Sequence, residues 1–305
     1  MRITVVMPAF NEEAGIGATL RALTDCPEFG SDMEIVVVAN GCTDRTAEVA
    51  RSFPGVRVTE IAIPSKTAAL NAADEIATGD VRVYMDADVP ADAALVKRLA
   101  AALDEPGIEA AVPTPVADTS HSTWPVRAYY AVNRRLPVFR GRLFGRGVIA
   151  VSADVRKRFE RFPDITADDM FLDAVVAADE KLEIPETIRV VAPRTGGELV
   201  RRIARGRDGN EEFWRFIKAR PDGYGLPPDP VPGPRSTSWL RNVVLRAPWL
   251  APAAVVYCTV ILLAERKRRA PSWDVRSGWG RTATAHIPAQ RRPADTPAHS
   301  EQSGI

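Results

Sequence analysis

Two carboxylates stand where an apolar run ends, in "VYMDADVP" from Val83 to Pro90. Asp86 and Asp88 flank the small Ala87. In a turn leaving a strand, both can aim at the space beyond the sheet edge. Hard oxygen donors of this kind suit Mg²⁺ or Mn²⁺, with phosphate oxygens completing the shell. The same pair could instead attack a phosphate, or merely end the strand, because aspartate is a common turn former.

Other groups bear on the choice. Lys66 opens "SKTAALNAA", with Asn71 further along the same helix, and a lysine at a helix N-terminus suits a diphosphate. "DITADDMFL" sets Asp168 beside Asp169 just after Thr166. Such carboxylates can serve as a general base, or as first-turn residues of a helix capped by Thr166. In "VRRIARGR", Arg202 and Arg205 share one helix face and could clamp a diphosphate or simply meet solvent. "GRLFGRGVIAVS" is glycine-led but lacks a P-loop pattern. His121 has no partner at ligand spacing and reads as core or surface.

These residues need elements to position them. "RITVVMP", "EIVVVAN", "VRVTEI", "VRVYM" and "IEAAVP" read as strands. Between them, "EEAGIGATLRAL", "TDRTAEVARSF" (capped by Thr43 or Asp44), "SKTAALNAADEIA" (capped by Ser65) and Ala91–Leu103 read as helices. Continuously apolar strands alternating with helices predict an α/β fold whose mostly parallel sheet is covered on both faces. Ligands of such sheets bind outside the carboxyl ends of the strands. Ala9–Glu13, Asn40–Asp44, Lys66 and Asp86–Asp88 all lie near such ends. Past Pro113 the pattern loosens into a partly helical excursion, a glycine-led strand, the acidic helix, the strand "TIRVVA" and a basic helix.

The ordered set "PAFNEE", "VVVANGCTDRT", "SKTAALNAA", "DAD" and "TADD" resembles glycosyltransferase family 2 over residues 1–206. That resemblance implies the GT-A fold and inverting transfer from a UDP- or GDP-sugar to a hydroxyl acceptor, with a divalent metal as cofactor. It implies that Pro8, Ala9, Asn11, Glu12 and Asn40 line the nucleobase and ribose pocket. Lys66, Asn71, Arg202 and Arg205 then belong to the donor site. Asp86 faces the ribose or sugar, and Asp88 is the direct metal ligand. Asp169 is the catalytic base, helped by Asp168. The chain departs from the family in three places. Asn40 replaces an aspartate, Asp168 a glutamate, and Gly206 the tryptophan of a processive-type Arg-x-x-Arg-Trp element.

Composition bounds the rest. The chain has 305 residues, a net charge of +1 and 46% hydrophobic residues, so it can bury a core and nothing global points to nucleic acid. Cys26, Cys42 and Cys258 have no metal spacing, and the simplest reading is a reducing, cytoplasmic compartment. The expected organisation is a transferase domain over 1–220, with a nucleotide-sugar half (1–112) and an acceptor half (113–220). A Pro/Gly linker (221–238), an apolar helix (239–269) and a polar, irregular tail (270–305) follow.

The apolar run from Trp249 to Ala264 falls just short of the roughly 17–25 residues of a spanning helix. With "ERKRR" behind it, it fits an anchor at the cytoplasmic membrane face, with Trp249 and Tyr257 at headgroup level, or a buried helix. Membrane contact would favour a lipid-linked acceptor. Two rivals stand beside this reading. A haloacid-dehalogenase-type phosphatase would use Asp86 as nucleophile, but carries its aspartates on the first strand, whereas three strand–helix units precede them here. A non-catalytic nucleotide-sugar-binding module would account for the three departures.

Overall fold

The computed structural model describes residues 1–219, 224–226, 239–271 and 273. The Pro/Gly linker and the polar tail therefore lie almost wholly outside the described residues. β1 (Ile3–Ala9), β2 (Met33–Asn40), β3 (Val56–Ile61) and β4 (Val81–Met85) run parallel. Their crossovers are α1 (Ile16–Thr24), α2 (Thr46–Arg51) and α3 (Lys66–Ile76). β1 is buried at every residue, which is why it reads as a continuous apolar run. Pro8 is tolerated in this inner strand because β4 pairs only with Ile3–Val6, leaving the far end of β1 bonded on one side. Ser65 caps α3 by accepting from the Ala68 N–H. α2 starts later than expected, with Arg45 rather than Thr43 or Asp44 at its cap position. The Asp44 carboxylate accepts from the backbone N–H groups of Glu13 and Thr46, so it braces the loop.

The second half comprises α4 (Ala93–Ala101), β5 (Ala110–Asp118), α5 (Trp124–Asn133), β6 (Val148–Val151), α6 (Ala153–Lys157), α7 (Asp168–Val175), β7 (Lys181–Val191), α8 (Gly196–Ala219) and α9 (Ala251–Arg268). The sheet order is β3-β2-β1-β4-β6-β5-β7. β6 runs antiparallel to both β4 and β5, so one reversed strand interrupts an otherwise parallel sheet. β5 and β7 pair in parallel and extend past the prolines that hid their full length, with a register break between Pro113 and Thr114.

Apolar layers cover both faces. Leu20 and Leu23 of α1 and Val96 and Leu99 of α4 fill one, and Leu70, Phe171 and Phe213 the other. Each such side chain contributes about 1.5–3 kcal/mol by leaving water. Phe171 of α7 meets Phe159 and Phe162 edge-to-face, which fixes the helix that carries the acidic pair. α9 lays one face on α5 and α8, burying Ala254, Val260 and Ala264. Tyr257 stacks on Tyr129 at 5.0 Å, so it belongs to this packing and not to a headgroup layer.

Candidate active site

The turn after β4 is held from three directions. The Asp86 N–H donates to the Gly147 carbonyl at 2.8 Å, joining it to the loop before β6. Thr19 Oγ1 of α1 donates to the Ala87 carbonyl at 2.7 Å. Gly147 has φ +72°, and a Cβ there would stand 2.5 Å from Val89 Cγ2, so only glycine lets the two loops close. The braced turn leaves Asp88 exposed, with no ion pair among the described residues. Desolvation by the cleft walls, then the charge of Asp86, pushes its carboxyl above the ordinary aspartate range, against Arg202 and Lys66.

Lys66 joins the two acidic elements. Its Nζ lies 2.7 Å from Asp86 Oδ1 and 2.9 Å from Asp168 Oδ2. Burial works against its charge, but Asp168, Asp86 and Asp169 outweigh that and hold the ammonium well above the usual lysine range. α7 begins at Asp168, with Ala167 at the cap position and no side-chain cap, so Thr166 does not cap it. The Thr166 N–H donates instead to Glu212 at 2.8 Å. Burial pushes Asp168 up to about 6, with Lys66 opposing. Asp169 Oδ2 accepts from the Gly145 N–H and Oδ1 from its neighbour Met170, both at 2.8 Å. Burial raises this carboxyl as well, and those hydrogen bonds and Lys66 restrain the rise.

The remaining predicted residues divide between cleft and support. Pro8 and Ala9 are buried at the end of β1. Asn11 takes the left-handed conformation, φ 53°, and its Oδ1 accepts from the Thr43 N–H at 2.8 Å, stapling the loops after β1 and β2. Glu12 is raised to about 7 by burial, then by Asp88, Asp44 and Asp86, which sets it among the acidic groups of the cleft. Asn40 ends β2 fully buried, and neither atom of its amide meets a partner among the described residues. Asn71 spends both ends of its amide on the backbone of Phe162, so it ties α3 to the segment before α7 instead of facing the cleft. Arg202 donates to the Val191 carbonyl at 3.1 Å and acts electrostatically on Asp88. Arg205 is half-buried and shifted down by burial and by Arg202. His121 is exposed.

Three site features were not assigned from sequence: the Gly145 N–H that orients Asp169, the close approach at Gly147, and Glu12 as an acidic neighbour of Asp88. The paired glycines with positive φ in "GRLFGRGV" were the available signal for the first two. Together, these elements define an α/β protein whose mostly parallel sheet brings carboxylates and a lysine to its carboxyl edge, where ligands of such sheets bind. The Glycosyl transferase family 2 model matches residues 4–162, and the chain belongs to that family. Its sheet and flanking helices are those of the GT-A fold, and membership leaves the phosphatase reading without support.

The chain is 29% identical over 152 residues to an undecaprenyl-phosphate 4-deoxy-4-formamido-L-arabinose transferase of Enterobacter sp. (strain 638), covering 47% of this chain and 46% of that one. It is 31% identical over 110 residues to the enzyme of the same name from Edwardsiella ictaluri (strain 93-146), covering 34% of each. The chain thus spans less than half of the length of these two curated relatives. In fold it is similar to a mannosyltransferase from Pyrobaculum calidifontis solved with GDP-Man and Mn²⁺, at TM-score 0.56 and 21% identity, covering 88% of this chain and 86% of that one.

Proposed function

We propose that this chain transfers a glycosyl group, with inversion, from a UDP- or GDP-sugar to an acceptor carried on a lipid, at the cytoplasmic face of a membrane. One observation carries the reading: Lys66 bridges Asp86 and Asp168, so the phosphate-side turn and the acidic pair share one cleft. A leaving diphosphate and an incoming acceptor need that adjacency, since inversion requires attack opposite the departing group.

The donor set fits a divalent cation. Asp88 is an exposed carboxylate without an ion pair among the described residues, and Asp86 stands beside it. Among the described residues no three His, Cys, Asp or Glu side chains form a ready cage, so a metal here would take one or two carboxylates and the donor's own phosphates. Asp88 and Asp86 would hold Mn²⁺ or Mg²⁺, which when bound would offset negative charge on the diphosphate. The chain's residues do the rest. Lys66, Arg202 and Arg205 add cationic charge around the diphosphate. Asp169, oriented by the Gly145 N–H, accepts the proton of a hydroxyl acceptor, and Asp168 holds Lys66 in place. A phosphate acceptor, as the relatives' names suggest, arrives largely ionised near neutral pH, and Asp169 then orients it instead of deprotonating it. Asn40 would meet a nucleobase only after its surroundings open, because it is fully buried.

A thermal-shift screen of nucleotide sugars with and without Mn²⁺ tests the donor reading, since a ligand of the folded state raises Tm. A Mn²⁺-dependent rise with UDP- or GDP-sugars, followed by release of nucleoside diphosphate when acceptor is added, is expected. A rise without turnover on any lipid or hydroxyl acceptor would favour the non-catalytic module.

A further inference from the structure

A second surface lies outside the cleft, where α9 packs on α5 and α8. A groove of about 770 Å³ runs between α9 and the first turns of α5 and α8. Its walls are Trp124, Val200, Val255, Val260 and Leu263, with Gly196 and Gly197 as its floor. Trp124 is 70% exposed and Val255 67%. Leu262 and Trp249, just outside the groove, are 69% and 75% exposed. Clustered exposed apolar side chains rimmed by polar residues mark an interaction face.

Charge says what it meets. The groove's ionisable lining residues are Arg201, Arg266 and Lys267, and no carboxylate lines it. Among the described residues neither Arg201 nor Arg266 forms an ion pair, whereas the next arginine, Arg268, is engaged by Asp208, Glu211 and Glu265. Apolar side chains ringed by unneutralised cations and tryptophans match the acyl–phosphate boundary of an anionic bilayer. α9 is long and apolar enough to cross a membrane, yet Ala254, Val260 and Ala264 are buried and Tyr257 is stacked on α5. It is therefore held against the domain along its length, with its other face free.

We infer that this face docks flat on an anionic membrane, with α9 lying in the interface and Arg201, Arg266 and Lys267 at phosphate level. This deepens the lipid-acceptor reading by giving the surface from which the acceptor arrives. Arg201 lines the groove, and the adjacent Arg202 donates to the Val191 carbonyl at the end of β7, so α8 connects this face to the sheet.

The test is co-sedimentation of the full chain with vesicles of phosphatidylcholine alone or with added phosphatidylglycerol. Binding to the anionic vesicles only, weakened by salt, is expected. Arg201→Glu with Arg266→Glu should weaken it roughly tenfold or more, as should Leu262→Glu with Leu263→Glu. Reversal of the exposed Arg161 and Arg189, outside the groove, should leave binding unchanged. Circular dichroism and Tm of each variant establish that it folds. Equal binding to neutral vesicles, no binding to either, or retained binding in the folded variants would overturn the inference. So would a dimer in solution that the same substitutions dissociate, or binding that appears only once residues 274–305 are removed, because a second copy or the chain's own tail would then cover the face. The assay reads no sugar transfer, so its failure and that of the transferase reading are separable.

Discussion

Lys66 of α3 and Asp168 of α7 form a 2.9 Å salt bridge that joins the first turns of two helices distant in sequence. The Asp168 side chain is only 9% exposed, so losing its partner leaves a nearly dry carboxylate. Lys66→Met should therefore cost about 3 kcal/mol at pH 8, the penalty of an unpaired buried charge. Asp168 sits near 6 in the folded chain against an ordinary 3.8, and it rises further once Lys66 is gone. A carboxyl raised on folding destabilises as pH climbs from its unfolded value through its folded one. The variant's Tm deficit should thus be small at pH 5 and large at pH 8. Equal deficits at both would mean that Asp168 does not depend on Lys66.

Asp169 is held by the Gly145 N–H and lies away from the Asp88 turn in chain and element. Asp169→Asn keeps an acceptor oxygen but cannot take a proton. With a hydroxyl acceptor, kcat should fall by roughly 10²–10⁴, while donor KM stays within a few-fold. Single-turnover kinetics with a donor titration separate the two quantities. Collapsed donor affinity at an unchanged saturating rate would move Asp169 into the donor site.

Burial raises both members of the pair, Asp168 to about 6, so protonation starts nearer neutrality than for ordinary aspartates. The ionised forms are the ones that hold Lys66 and accept a proton. Transfer should accordingly decline as pH falls through about 6, with an apparent value belonging to the pair. A phosphate acceptor protonates in the same range, about 6. A kcat/KM profile from pH 4.5 to 8 with a hydroxyl acceptor and with a phosphate acceptor distinguishes the causes. A limb seen with both acceptors belongs to the aspartates, and one seen only with the phosphate belongs to the acceptor. A wild-type profile flat down to pH 5 would exclude both.

Much of this cleft was legible because it is built from local patterns. Continuous apolar runs marked β1, β2 and β4, the Ser65 cap marked the start of α3, and a sheet's carboxyl edge brought Asp86, Asp88 and Lys66 together. What escaped was tertiary. "VIAV" gives no sign of strand direction, so the reversed β6 and the Asp86–Gly147 contact it creates were invisible. Asn71 looked like a ligand-facing amide on its helix, but the backbone of Phe162 claims it. Tyr257 looked interfacial until Tyr129, from a distant segment, stacked on it. Propensity cannot foresee such partners, because packing chooses them.

Gly147 tests whether the turn carrying the aspartates needs its brace. With φ +72° and Val89 Cγ2 2.5 Å from any added Cβ, Gly147→Ala carries both backbone strain and a clash. The left-handed conformation alone costs about 1–2 kcal/mol for a residue with a side chain. Relieving the contact requires Val89, the neighbour of Asp88, to rotate or shift. A lower Tm together with weaker Mn²⁺ dependence of donor binding is expected, measured by melts with and without metal. Gly145→Ala is the comparison, because nothing lies within 4 Å of an added Cβ there and only its φ of +73° is strained. If both variants lose stability and metal dependence equally, the contact with Val89 has no separate role.

Asp88 is the exposed end of the same turn, and its assignment as metal ligand can be read without turnover. Desolvation, then repulsion from Asp86, raises its carboxyl, and a bound cation would oppose that rise. Mn²⁺ with a nucleotide sugar should stabilise the wild-type chain by about 2.7 kcal/mol at a hundred times its Kd. Asp88→Asn retains size and hydrogen bonding but removes the charge that a hard cation requires. The metal-dependent part of the Tm rise should vanish in this variant. A metal-independent part from Lys66, Arg202 and Arg205 should remain, since those residues need no ion to meet a diphosphate. Its basal Tm should match or exceed that of wild type at pH 8, because one member of a like-charged pair is gone. An undiminished Mn²⁺ effect would shift the metal to Asp86 and Glu12, and loss of all nucleotide-sugar stabilisation would mean that Asp88 supports the donor pocket itself.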